Sequence, residues 1–137
     1  MNTVNILGVN FVNTGILEAV EYGMRAMEGR EAKYIVAPDS EMMLAARKSK
    51  RLMKAIQGAE LVLPEGSGII YSSHILGMPI KRKICAIDYA SALMARMSEK
   101  HKRVFLLGAD EETAKLAAER IGARYPGIVM AGSSSGV

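Results

Sequence analysis

An α/β fold, a parallel sheet flanked by helices on both faces, follows from three features of this 137-residue chain. Short apolar runs alternate with stretches of helical spacing, the pattern of βα units. The runs stop at proline or glycine: Tyr34-Ile35-Val36-Ala37 at Pro38, Glu60 to Leu63 at Pro64, and Val104 to Leu107 at Gly108. Half of the residues are hydrophobic and 23% are charged, in a length that suits one core. The expectation is a single domain over 1–137.

The elements are read in order. Val4 to Val12 alternates apolar and polar around a glycine, as a first strand or a hairpin. Thr14 is placed to cap a helix whose inner stripe is Leu17, Val20, Met24 and Met27. Pro38 ends the next strand. Ser40 is placed to cap one helix with Met42, Ala45, Ser49, Leu52, Met53 and Ile56 inward and Gly58 at its stop. Glu60 to Leu63 is a strand, and the glycine turn after it leads to a short helix from Ile69 to Leu76. Asp88 is placed to cap a helix through about Lys100. Arg103 to Gly108 reads as the clearest buried strand. A helix follows from Glu111 to about Arg124, then a turn at Tyr125-Pro126-Gly127 and a last strand from Ile128 to Ala131. The closing run Gly132 to Val137 reads as a tail or an open loop.

Composition excludes several classes. The only cysteine, Cys85, rules out an internal disulfide framework and sits in an apolar run that reads as buried. His74 and His101 have no metal-ligand spacing and read as surface or helix-end residues. No metal is expected. No basic and apolar leader opens the chain, and no stretch is long and apolar enough to span a bilayer. A soluble, cytoplasmic protein is expected. The net charge is +4, with clusters at Arg47 to Lys54 and at Lys81-Arg82-Lys83. Such clusters attract phosphate or anionic lipid. No aromatic residues interleave with them, so nucleic acid is not expected as a partner. Ten methionines suggest an adaptable core or an apolar contact surface.

Ligands of α/β proteins bind beyond the carboxyl ends of the strands. Four strand ends carry polar or glycine-rich turns: 37–41, 64–68, 108–110 and 132–136. Neither a dinucleotide fingerprint nor a P-loop is present. The carboxylates at these ends are Asp39, Glu41, Glu65 and Asp110. Glu65 is the foremost candidate. It follows a buried strand and Pro64, and Gly66-Ser67-Gly68 after it lets a substrate approach the backbone. A carboxylate so placed suits a general base for an attacking hydroxyl.

These strand ends resemble, in order along the chain, the WecG/TagA/CpsF glycosyltransferases. Ile6-Leu7-Gly8-Val9 is similar to the family's opening strand. Val36-Ala37-Pro38-Asp39-Ser40-Glu41 resembles its Thr-Pro-Asn-x-Glu segment. Ala59 to Gly68 resembles Ala-Asp-Leu-Val-Pro-Asp-Gly-x-Gly, and Lys83 to Asp88 resembles Arg-Val-x-Gly-x-Asp. Val104 to Gly108 and Arg124 to Gly127 follow in place. The resemblance implies a Rossmann-like domain and an inverting, metal-independent transfer of N-acetylmannosamine, or a related N-acetylhexosamine, from a UDP-sugar. The acceptor it implies is an undecaprenyl-diphosphate-linked N-acetylglucosamine, in teichoic acid or surface polysaccharide synthesis. No cofactor is implied.

Glu65 stands where the family has its proposed base, an aspartate. Asp39, Ser67 and the 66–68 turn would line the sugar pocket, and Lys83 would meet the diphosphate. Ala37, Glu41, Gly66, Gly68, Asp88, Gly108, Gly132 and Ser133 are the other expected substrate contacts. Ala37 replaces a threonine, Asp39 an asparagine, Lys83 an arginine and Ala86 a glycine. Ser133 to Val137 stands where many members have Thr-His-His-Gly-Tyr. Members also continue beyond this point, so the resemblance implies a C-terminally shortened domain. Their membrane-facing segment would lie in the part that is missing. Location at the inner face of the membrane and homo-oligomerisation are expected from the same resemblance. The alternative is a catalytically weakened nucleotide-sugar-binding or accessory module of the same fold.

Overall fold

The computed structural model describes residues 1–136. It has the expected α/β character, with parallel strand pairs and helices on both sides of the strands. The chain divides into two compact units, Met1–Ala90 and Ser91–Val137.

The first unit opens with a hairpin, β1 (Thr3–Ile6) and β2 (Val9–Val12), paired antiparallel. Leu7 and Gly8 form its two-residue loop, both at positive φ as a type I′ turn needs. The Ile6-Leu7-Gly8-Val9 stretch is therefore a turn between two strands and not one opening strand. Helix α1 (Ile16–Ala26) starts at Gly15 with no side-chain cap; Thr14 does not cap it. It buries Ala19, Val20, Gly23 and Met24, whereas Leu17 is 75% exposed. The inner face thus lies one residue round from the expected stripe.

Strand β3 (Ile35–Val36) pairs in parallel with β4 (Leu61–Val62). Between them the expected single helix is two. Helix α2 (Ser40–Lys48) ends at Ser49, whose backbone is extended, and α3 (Lys50–Gln57) restarts there. Ser49 Oγ accepts from the Leu52 N–H at 3.2 Å, so the serine is a cap and not an inward residue. On α2 the buried residues are Met43 and Ala46; Met42 and Ala45 are exposed. Asp39, not Ser40, caps α2. Helix α4 (Ser67–Ile75) begins two residues before its expected start, so Ser67 and Gly68 form a helical first turn. The core joins Val4, Ile6, Val9 and Phe11 of the hairpin to Met43, Ala46, Ile56, Val62, Ile69 and Ile80. Burying such side chains contributes roughly 1.5–3 kcal/mol each.

Helix α5 (Ala86–Glu99) carries the chain from the first unit into the second. Asp88 lies in its first turn and not at its cap, because the helix already starts at Ala86. In the second unit β5 (Arg103–Leu107) pairs in parallel with β6 (Val129–Ser134), and α6 (Glu111–Arg124) connects them. β6 runs three residues further than expected, through Gly132, Ser133 and Ser134. The register shifts at Val104/Phe105, where Phe105 pairs with Gly132 and Ala131 is passed over as a bulge. Gly132 has φ of 150°, and a Cβ there would lie 3.1 Å from Phe105. Only glycine fits that position. β5 is half open rather than buried: Phe105 is 56% and Leu107 74% exposed. Val137, the last residue of the segment compared above, lies outside the described residues.

Candidate functional site

Glu65 follows the carboxyl end of β4, behind the buried pair Leu63 and Pro64. It is half-buried. The segment before α5 is tied to the same strand end, because the Ile84 N–H donates to Pro64 O at 3.1 Å. That bond sets Cys85 against the carboxylate. The thiol donates to Glu65 Oε1 at 3.3 Å, a weak bond that holds one oxygen in place. Cys85 is thus half-buried and polar in its contacts, not the buried apolar filler its neighbours suggested. No local motif announces this pairing, since it depends on a bond between segments 20 residues apart in sequence.

Helix N-termini gather around Glu65. α4 begins at Gly66, with no side chain capping it. α2 begins beside it: a Cβ at Gly66 would sit 3.4 Å from Asp39 Cα, and one at Gly68 would overlap Ser40 Oγ. α5 starts directly after Cys85. Each terminus presents N–H groups and the positive end of a helix dipole, a setting that favours anions. Asp39 already answers part of this field. Its Oδ1 accepts from the Met42 N–H at 2.8 Å. Glu41 and Asp88, both exposed, lie in the first turns of α2 and α5. Ala37 is half-buried, just after β3.

Lys83 projects from the loop before α5 and is exposed. With Ser67, Ile70, Tyr71 and His74 it lines a shallow groove of about 320 Å³ along α4. The groove runs from the uncapped start of the helix, so the cation and the free N–H groups flank one surface. His74 is exposed in the last turn of α4, at a helix end as expected. Ala37, Asp39, Gly66, Ser67, Gly68 and Lys83 therefore gather near Glu65 within the first unit.

Gly108, Gly132 and Ser133 belong to the second unit. Gly108 closes β5, and its N–H donates to Ser134 O at 3.1 Å. Gly132 and Ser133 lie inside β6, where Ser133 pairs with Leu106. Asp110 caps α6 through Thr113, accepting from its N–H and its hydroxyl at 2.8 Å each. These bonds hold the Asp110 carboxyl below the usual carboxylate range. Its side chain serves the helix. Among the described residues no three of His, Cys, Asp and Glu come together as a metal ion needs. No helix among them is long and apolar enough to cross a membrane.

Residues 4–137 match the model of the glycosyl transferase WecG/TagA/CpsF family. Two relatives carry the name N-acetylglucosaminyldiphosphoundecaprenol N-acetyl-beta-D-mannosaminyltransferase. The protein of Bacillus spizizenii is 28% identical over 137 residues, covering 99% of this chain and 53% of that protein. The protein of Staphylococcus aureus is 31% identical over 130 residues, covering 93% of this chain and 51% of that protein. The chain spans about half the length of these curated relatives. It belongs to the WecG/TagA/CpsF glycosyltransferase family.

Proposed function

We propose that this member of the WecG/TagA/CpsF family transfers N-acetylmannosamine, or a related N-acetylhexosamine, from a UDP-sugar to a polyprenyl-diphosphate-linked N-acetylglucosamine. The observation that carries the reading is the setting of Glu65: a half-buried carboxylate ringed by helix N-termini. The reaction needs both. The acceptor hydroxyl oxygen forms a bond to the anomeric carbon on the face opposite UDP, and the carbon–oxygen bond to UDP breaks. The hydroxyl proton passes to Glu65, and UDP leaves with the bonding electron pair.

Cys85 holds Oε1, which leaves Oε2 to receive the proton. The developing charge on UDP is met by the N–H groups at Gly66–Gly68 and by Lys83, donors fixed before reaction begins. Gly68, without a Cβ, leaves room for the Ser40 hydroxyl where α2 and α4 begin. The relatives' printed names support the acceptor and the sugar, and the family supports the reaction type. No resident metal or cofactor enters this scheme.

A second reading keeps the fold and weakens the chemistry: a nucleotide-sugar-binding or accessory module. Asp39 favours it. Its carboxylate is spent on capping α2 and adds negative charge beside the sugar pocket. The test is transfer of labelled N-acetylmannosamine from its UDP form to a soluble lipid-diphosphate N-acetylglucosamine, with product identified by mass. A disaccharide product supports the transferase. Saturable UDP-sugar binding without product supports the module.

A further inference from the structure

We propose that the outer face of α4 and the loop after it form a docking surface for an anionic lipid bilayer. Four large apolar side chains lie open there. Tyr71 is 70%, Ile75 69%, Leu76 50% and Met78 45% exposed. Tyr71 and Ile75 stand one turn apart on the same helix face. Lys81, Arg82 and Lys83 follow at once, all exposed.

Charge selects the occupant. From Gly66 to Ile87 the sequence has no Asp or Glu, so this segment itself brings only positive charge beside its apolar side chains. A soluble protein partner or a second copy would present carboxylates and cations mixed. A bilayer with anionic headgroups offers negative charge at the level of the lysines and an apolar interior just beneath. Tyrosine suits the boundary between them.

The cationic triplet is built in rather than loose. It lies between two buried anchors, Ile80 and Ile84, at 1% and 2% exposure. Ser73, fully buried, accepts from the Ile80 N–H at 2.9 Å and donates to Ile70 O at 2.6 Å. The Lys81 N–H donates to Asn13 Oδ1 at 2.9 Å. The loop is therefore held to α4 and to the end of the hairpin, and Lys83 lines one groove with Tyr71. α4 starts directly after Glu65. Docking would bring the carboxylate to headgroup level, where a diphosphate-linked acceptor lies. The purpose of the surface rests on the transferase reading; its existence does not. The membrane contact expected from a segment beyond residue 137 would then have a counterpart within this chain.

The test is co-sedimentation of the full chain with vesicles of phosphatidylcholine alone and with about 30% phosphatidylglycerol, whose anionic headgroups give a negative surface potential. Binding is expected only to the anionic vesicles and to weaken in high salt. Lys81→Glu with Arg82→Glu should lower it about tenfold or more. Ile75→Ser should also weaken it, while circular dichroism shows both variants folded. Equal binding to both vesicle types, or none, overturns the proposal. So does a dimer in sedimentation equilibrium that Ile75→Ser converts to monomer, because a second copy then owns the surface. Transfer to a soluble acceptor is measured on the same variants. Transfer retained with vesicle binding lost supports docking. Transfer absent in the wild type with vesicle binding intact overturns the transferase reading alone.

Discussion

At Glu65 the local sequence pointed to a candidate base by its place in the chain alone. Pro64 and the glycines after it marked a strand end, and the structure adds a partner, Cys85, that holds one carboxylate oxygen. Tyr89 is a second residue whose role emerges only in three dimensions. It is buried, and its hydroxyl donates to Ala19 O at 3.1 Å. Burial pushes that hydroxyl up to about 12 from an ordinary value of 10.0. The unfolded chain then loses the proton first as pH rises. Stability is untouched by this group below about pH 10 and falls between about pH 10 and 12, by about 1.4 kcal/mol per unit. Tyr89→Phe should remove that part of the slope, read as the change in urea midpoint between pH 9 and 11. Equal slopes in the two proteins would mean that Tyr89 ionises as freely in the folded state.

Among the elements, the helix starts carry the functional argument. The starts of α2 and α4 meet where Gly68 faces the Ser40 side chain. Gly68→Ala should drive the Ser40 hydroxyl out of that contact and cost about 1 kcal/mol, the low end of the range for overpacking. Adding Ser40→Gly should restore most of it. A Gly68→Ala protein with unchanged thermal midpoint would show that the contact yields without strain.

The same level shows what sequence patterns conveyed. Proline and glycine stops located the strands because those residues break local structure whatever surrounds them. The α6 boundaries, Glu111 and Arg124, were equally legible, set by Asp110 before and Tyr125-Pro126 after. The break at Ser49 was not: the apolar spacing continues across it, and one serine decides between cap and interior only once the backbone turns. The extent of β6 was hidden too. Glycine and serine read as tail, yet pairing with β5 needs a residue without a Cβ opposite Phe105.

For the whole molecule, family membership and the ordered strand-end motifs agree, and each compact unit holds part of the motif series. Nine expected site residues fall in the first unit: Ala37, Asp39, Glu41, Glu65, Gly66, Ser67, Gly68, Lys83 and Asp88. Gly108, Gly132 and Ser133 fall in the second. In that second unit the glycines have clear local work, a strand end and a bulge, that explains them without a ligand. The first unit alone gathers a carboxylate, uncapped N–H groups and a cation, which are the parts the proposed transfer requires. The most direct measurement is acceptor-dependent UDP release from UDP-N-acetylmannosamine by the wild type and by Glu65→Gln, each shown to be folded. Release is expected to need the acceptor and to fall by about 10²-fold or more in the variant, the scale of a lost general base. Release unchanged by Glu65→Gln would contradict it.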